Sequence, residues 1–223
     1  MNWLDKLERK WGRHAIPNLM TTVIAGMALV FACNLLFPRA HLLSYLYFAP
    51  SLILRGQIWR LFTFIFIPPD SSLLFIAFAL YLYYFIGSSL EREWGSFRFN
   101  VYYLLGMLGS ILAGFITGAA TNSFLNLSLF FAFAAVYPDM QLLLFFIIPI
   151  KIKYLALFDG VLYLFSFLSG GLTVKAAIVA SLINFFIFFG PSVINRFRAN
   201  LRYRKQRATW QDQTRNNRNN NQR

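Results

Sequence analysis

Six stretches of predominantly apolar residues, each close to the length that crosses a lipid bilayer, constrain this chain more than any other feature. A spanning helix needs about 20 such residues, with about 17 at the short end. The first stretch covers residues 16–37 and is bracketed by Pro17 and Pro38; the second covers 71–87 and follows the Pro68-Pro69 break, with Asp70, Ser71 and Ser72 available as N-cap residues. The third, 100–119, is uninterrupted. A fourth begins at Thr121 or Asn122 and ends at Tyr137-Pro138, and the sixth, 173–190, stops at Pro191. Between these two, Lys151 and Lys153 interrupt the apolar run. Residues 142–150 are too few to cross and contain Pro149, so they read as an interfacial or re-entrant segment leading to a fifth span over 154–169. The expected fold is an all-α, polytopic bundle of six transmembrane helices over residues 16–192, with an amphipathic lead over 1–15 and a basic tail over 193–223.

Composition excludes the soluble alternatives. Hydrophobic residues make up 58% of the 223, and charged residues only 13%, against roughly a quarter in a water-soluble domain. The 21 Lys and Arg against 8 Asp and Glu give a formal charge of +13. A nucleic-acid interface would interleave its bases across a folded face, whereas here they stand in blocks outside the apolar runs, so no specific nucleic acid is expected. Those blocks report topology instead. With six crossings, 17 of the 21 basic residues fall on the side of the two termini, and only Arg39, Arg55, Arg60 and Lys175 on the other. Both termini are therefore expected in the cytoplasm, of a bacterial cytoplasmic membrane. Trp3, Leu4, Leu7 and Trp11 recur at helical spacing among Lys6, Arg9, Lys10 and Arg13, the pattern of a helix lying in the headgroup region rather than a cleaved signal. The Asn-, Gln- and Arg-rich tail has no apolar period; it is expected to be disordered and to attract anionic lipid. Cys33 has no partner for a disulfide or metal site, and no cofactor is expected.

Within the spans, Gly106, Ser110, Gly114 and Gly118 recur every fourth residue and lay a small-residue strip along the third, which marks it as central. Ala176, Ala177, Ala180 and Ser181 form a second strip on the sixth. Asn126 and Ser128 on the fourth span, Asn184 on the sixth and Asp159 on the fifth are the costly intramembrane polar groups. Asn126, Ser128 and Asn184 suit either interhelical hydrogen bonds or a polar cavity for client helices. Asp159, six positions past Lys153, is expected near the surface and paired.

Three ordered motifs carry a family resemblance. The loop after the first span reads Tyr47-Phe48-Ala49-Pro50 and then Gly56-Gln57-Ile58-Trp59-Arg60, and the loop after a short second span reads Leu90-Glu91-Arg92-Glu93-Trp94-Gly95-Ser96. Further on, Leu144-Phe145-Phe146-Ile147-Ile148-Pro149-Ile150-Lys151 matches the segment between fourth and fifth spans. In this order they resemble the rhomboid superfamily over residues 17–191, with Trp59-Arg60 as its first-loop pair and Glu91 with Gly95-Ser96 as its turn before the third span. The resemblance implies a six-helix rhomboid-like bundle. An active rhomboid protease pairs a Gly-x-Ser-Gly serine on the fourth span with a histidine on the sixth, because a serine hydroxyl needs a base within hydrogen-bond reach. Here the corresponding stretch is Thr121-Asn122-Ser123-Phe124, the sixth span offers Ser181 where the histidine would fall, and the two histidines, His14 and His41, lie outside the spans. Lys175 is the only lysine near that half of the bundle.

The chain thus resembles a catalytically dead, Derlin-like rhomboid pseudoprotease, although its tail carries no Derlin-type motif for an AAA ATPase. The resemblance implies a binding or quality-control role toward membrane-protein clients, with a membrane AAA protease or ATPase as a candidate partner. Short second and fourth spans would thin the bilayer locally. The competing functions are an active intramembrane serine protease and a small transporter or channel subunit.

Overall fold

A computed structural model describes residues 3–69, 72–144 and 148–188. It forms two compact units, Met1–Phe185 and Phe186–Arg223; the second is described only for its first three residues, and the expected tail over 193–223 lies outside the described residues.

Helix α1 (Trp3–Trp11) precedes the first span, α2 (Leu19–Leu36). A loop with three short helices follows, α3 (Leu42–Leu46), α4 (Pro50–Ile53) and α5 (Arg60–Thr63). Then come α6 (Leu73–Trp94), α7 (Ser96–Thr117) and α8 (Ser123–Val136), a hairpin of β1 (Gln141–Leu144) and β2 (Ile148–Lys151), and α9 (Ile152–Ser169). A last apolar helix, α10, covers Leu172–Phe188. Helices α2, α6, α7 and α9 are long and apolar enough to cross a membrane, while α8 and α10 are shorter. The six expected spans thus each correspond to one of these six helices.

Two expectations about local structure fail. The second span is not short: α6 runs for 22 residues, about 33 Å, because the polar sequence Ser88 to Trp94, expected as a loop, continues the helix. Glu91 is buried there and its Oε1 accepts from the backbone N–H of Asn18 and from Ser96 Oγ, each at 2.7 Å. A carboxylate satisfied in this way tolerates burial at a helix end. Arg92 Nε donates to the Ser88 carbonyl and Glu93 accepts from Tyr137 Oη. The segment expected to be interfacial or re-entrant, in turn, is not helical but an antiparallel hairpin pairing Gln141 with Lys151 and Leu144 with Ile148. Unpaired backbone cannot stay in an apolar run, and a two-stranded ladder satisfies it over too few residues for a helix to cross.

Gly95, at φ 82° and ψ 153°, lets the chain reverse between α6 and α7 in one residue, a conformation closed to side chains with a Cβ. Half of α7's apolar stretch is buried, against 6% of α9's, so α7 is the packed centre and α9 the most loosely held long span. Helix α2 packs on α6, α6 on α7 and α8, α7 on α8, and α9 on α8 and β2. Helix α1 is held to the start of α7 by Arg98, which bonds Asp5 and Glu8 at 3.0 Å each. Its two acidic side chains thus face the bundle, which the basic character of the segment did not suggest.

Candidate functional site

The loop between α2 and α6 is organised by one buried cation. Arg60 is only 3% exposed. Its Nε donates to Gln57 Oε1 at 2.7 Å, and one terminal nitrogen donates to the carbonyls of Ser44 and Tyr47 at 2.8 Å each. The guanidinium has the fixed, multiple donors this requires. Trp59 is half-exposed and donates to the Tyr45 carbonyl. Phe48 is buried edge-on against Phe64 and Phe115 and lies where a Cβ on Gly114 would be, 2.6 Å away. Asn122, just before α8, donates to the carbonyls of Ile65 and Ile67 and so ties the loop's end to that helix. The structure thus places Trp59 and Arg60 as positioning residues of this loop.

The strip on α7 splits into separate contacts. At Gly106 a Cβ would strike Leu125 of α8 and stand 2.8 Å from Asn184 Nδ2 of α10, so a larger residue there requires both side-chain ends to shift. Around it Tyr102 Oη donates to the Ser128 carbonyl at 2.9 Å and is also bonded to Ser128 Oγ, while Asn184 Nδ2 reaches the Tyr102 carbonyl at 3.3 Å and Ser128 Oγ at 3.4 Å. A buried polar knot therefore joins α7, α8 and α10. Ala180 lies against Gly109 one turn away, and Ser181 is buried on the same helix. Ser110 bonds back to the Gly106 carbonyl. Gly118 is not part of the packing strip: at φ 88° it ends α7, its N–H on the Gly114 carbonyl. Tyr102 could have been found in the sequence, since it stands one turn before Gly106 on the same strip.

Asn126 faces elsewhere. Its side chain faces Tyr83, and its Oδ1 is buried without a hydrogen-bond partner. Both residues line a cavity of about 540 Å³ between α6, α8 and α9, with Gln141 and Leu142 of the hairpin also in its lining. Phe78, Tyr81, Phe85 and Ile86 from α6, Leu127 and Phe130 from α8, and Leu155 from α9 supply apolar walls; Ser123, Asp159 and Tyr163 join Tyr83 and Asn126 as its polar groups. Asp159 is not paired with Lys153 as expected. Lys153 Nζ is 2.8 Å from Asp139 Oδ1, and Lys151 Nζ 3.6 Å from the same atom. That exposed cluster lies at the hairpin base, where the Lys153 hydrogen bond and the two positive charges lower the Asp139 pKa and Asp139 raises that of Lys153.

Ser123, the position matching the protease serine, is exposed at the first turn of α8 on the cavity side. Leu125 and Ser128, which meet α7 and α10, lie on a different face, Ser128 about 140° around the helix from Ser123. Asn184 of α10 adjoins Ser128 on that other face, and Ser181 is buried on the same helix. His14 ends the turn after α1 and His41 precedes α3. Among the described residues no three of His, Cys, Asp and Glu stand close enough to hold a metal ion.

A family model described as "Eukaryotic integral membrane protein (DUF1751)" matches residues 17–189. No curated protein matches the chain. The match corrects the expected bacterial membrane, which positive-inside charge bias could not distinguish from a eukaryotic one because both obey the same rule.

Proposed function

Because the chain belongs to the eukaryotic integral membrane protein family DUF1751, we propose that it is a non-proteolytic, rhomboid-like membrane protein that binds transmembrane segments of other membrane proteins, as a quality-control factor would. The observation that carries this reading is the cavity between α6, α8 and α9: apolar-walled, set with polar groups, and bounded by the least-buried long helix of the bundle. A loosely packed span beside a polar cavity suits a partner that arrives laterally through the lipid. Both termini are assigned to the cytoplasm from the distribution of basic residues, and the basic tail to anionic lipid on that side. Partnership with a membrane AAA protease or ATPase rests on the resemblance to Derlins alone.

The sixth span carries Ser181 and Asn184 and no histidine, which supports the absence of a serine dyad. A serine-directed fluorophosphonate probe is therefore expected to leave the reconstituted protein unlabelled, with an added membrane client recovered at full length. Labelling that vanishes in Ser123→Ala, with client fragments accumulating, would establish the protease instead. Local bilayer thinning is supported by α8, whose 14 residues reach about 21 Å against a hydrocarbon core near 30 Å.

A further inference from the structure

Asp159 is the eighth residue of α9 and lines the cavity from that helix, about 10 Å along the axis from Ile152. Among the described residues no Lys, Arg or His forms an ion pair with it, and the cavity lining contains no base. The lysines nearest in sequence, Lys151 and Lys153, are engaged by Asp139 at the hairpin base. Asn126 lines the same cavity from α8, with an oxygen that has no hydrogen-bond partner. The site thus holds one carboxyl and no cation, among neutral polar groups set in aromatic and aliphatic walls. A membrane places a high cost on an intramembrane carboxyl without a partner, and a cation that meets it in the same plane relieves its own desolvation as well.

We propose that the cavity selects transmembrane segments that carry a basic side chain, with Asp159 as the residue that receives the cation; this deepens the client-binding function and rests on it. A purely apolar segment would fill the walls and leave Asp159 unpaired. A segment with Lys or Arg at the matching depth would satisfy it, so the protein would favour membrane helices whose own acidic partner is missing. Charge complementarity thereby distinguishes a client helix from lipid acyl chains, which offer the cavity no donor.

The full-length protein, with a photocrosslinking amino acid replacing Leu155, is reconstituted in phosphatidylcholine vesicles with synthetic Leu-Ala transmembrane peptides of about 20 residues. The peptides differ at one position, about 10 Å from one end, which is Leu, Lys or Asp. The Lys peptide is expected to crosslink between about threefold and thirtyfold more than the Leu peptide. Asp159→Asn should abolish that preference, and Asp159→Lys should transfer it to the Asp peptide, an exchange that misfolding cannot produce. The same comparison from Phe130 on the opposite wall guards against disturbance at Leu155. Equal crosslinking of Lys and Leu peptides, or a Lys preference that survives Asp159→Asn, overturns the charge selection while leaving client binding in place. Crosslinks to lipid alone, with no peptide captured, overturn both.

Discussion

Arg60 illustrates how a charged side chain in a membrane protein serves the fold. With three acceptors gathered on one guanidinium, Arg60→Met should cost about 1 kcal/mol for each part-buried acceptor that loses its donor. The thermal unfolding temperature in detergent should fall accordingly. Arg60→Lys should restore only part of the loss, since an ammonium lacks the planar fork. A variant as stable as wild type would mean that water replaces the guanidinium. At Gly106 the constraint is space: Gly106→Ala drives a methyl into Leu125 and Asn184, an overpacking that costs about 1–3 kcal/mol, and the same unfolding measurement checks it. The Trp-Arg motif and the Gly106 strip were both legible as patterns. The sequence could not say which carbonyls Arg60 gathers, because those of Ser44 and Tyr47 come from backbone of unremarkable sequence. Nor could it separate Asn126 from Ser128. These two face different neighbours, but α8 is apolar all round, and a helix without an apolar stripe gives no signal of which face is which.

At the scale of elements, helix existence was easier to read than what joins the helices. Spans over 16–37, 100–119 and 154–169 announce themselves by length and by flanking Pro, Gly or charge. The hairpin did not, since a short apolar run carries the same hydrophobicity as a re-entrant helix and only pairing distinguishes them. The end of α6 was hidden for the opposite reason. Its polar turn looks like a loop until Asn18 and Ser96, remote or beyond the break in sequence, are seen to satisfy Glu91. The hairpin base yields a test by pH. Asp139's lowered pKa means its pairing with Lys153 contributes fully above the ordinary carboxylate value and is lost as pH falls through the lowered one. Lys153's raised pKa sets the alkaline limit: that contribution is complete below the ordinary lysine value and disappears as pH rises through the raised one. The amides of Ile152 and Lys153, bonded to the carbonyls of Met140 and Pro138, should therefore lose intrinsic-rate-corrected hydrogen-exchange protection at both extremes. Asp139→Asn should remove this dependence and its sensitivity to salt; an unchanged profile in that variant would assign the effect to other groups.

For the molecule as a whole, two assignments organise everything else: which side of the membrane the ends occupy, and what the cavity holds. The first predicts that tags placed at residue 1 and residue 223 are both reached from the cytoplasm in sealed vesicles, while a tag in the loop beside Leu54 is reached only from the opposite side; tags at the two ends on opposite sides would require an odd number of crossings. The second assignment is the central claim. Photocrosslinking in native eukaryotic membranes from Phe130, inside the cavity, should capture intact membrane-spanning polypeptides, whereas the same probe at Phe165, on the exposed face of α9, should capture chiefly lipid. Equal polypeptide capture from both positions, or lipid alone from the cavity, would contradict it.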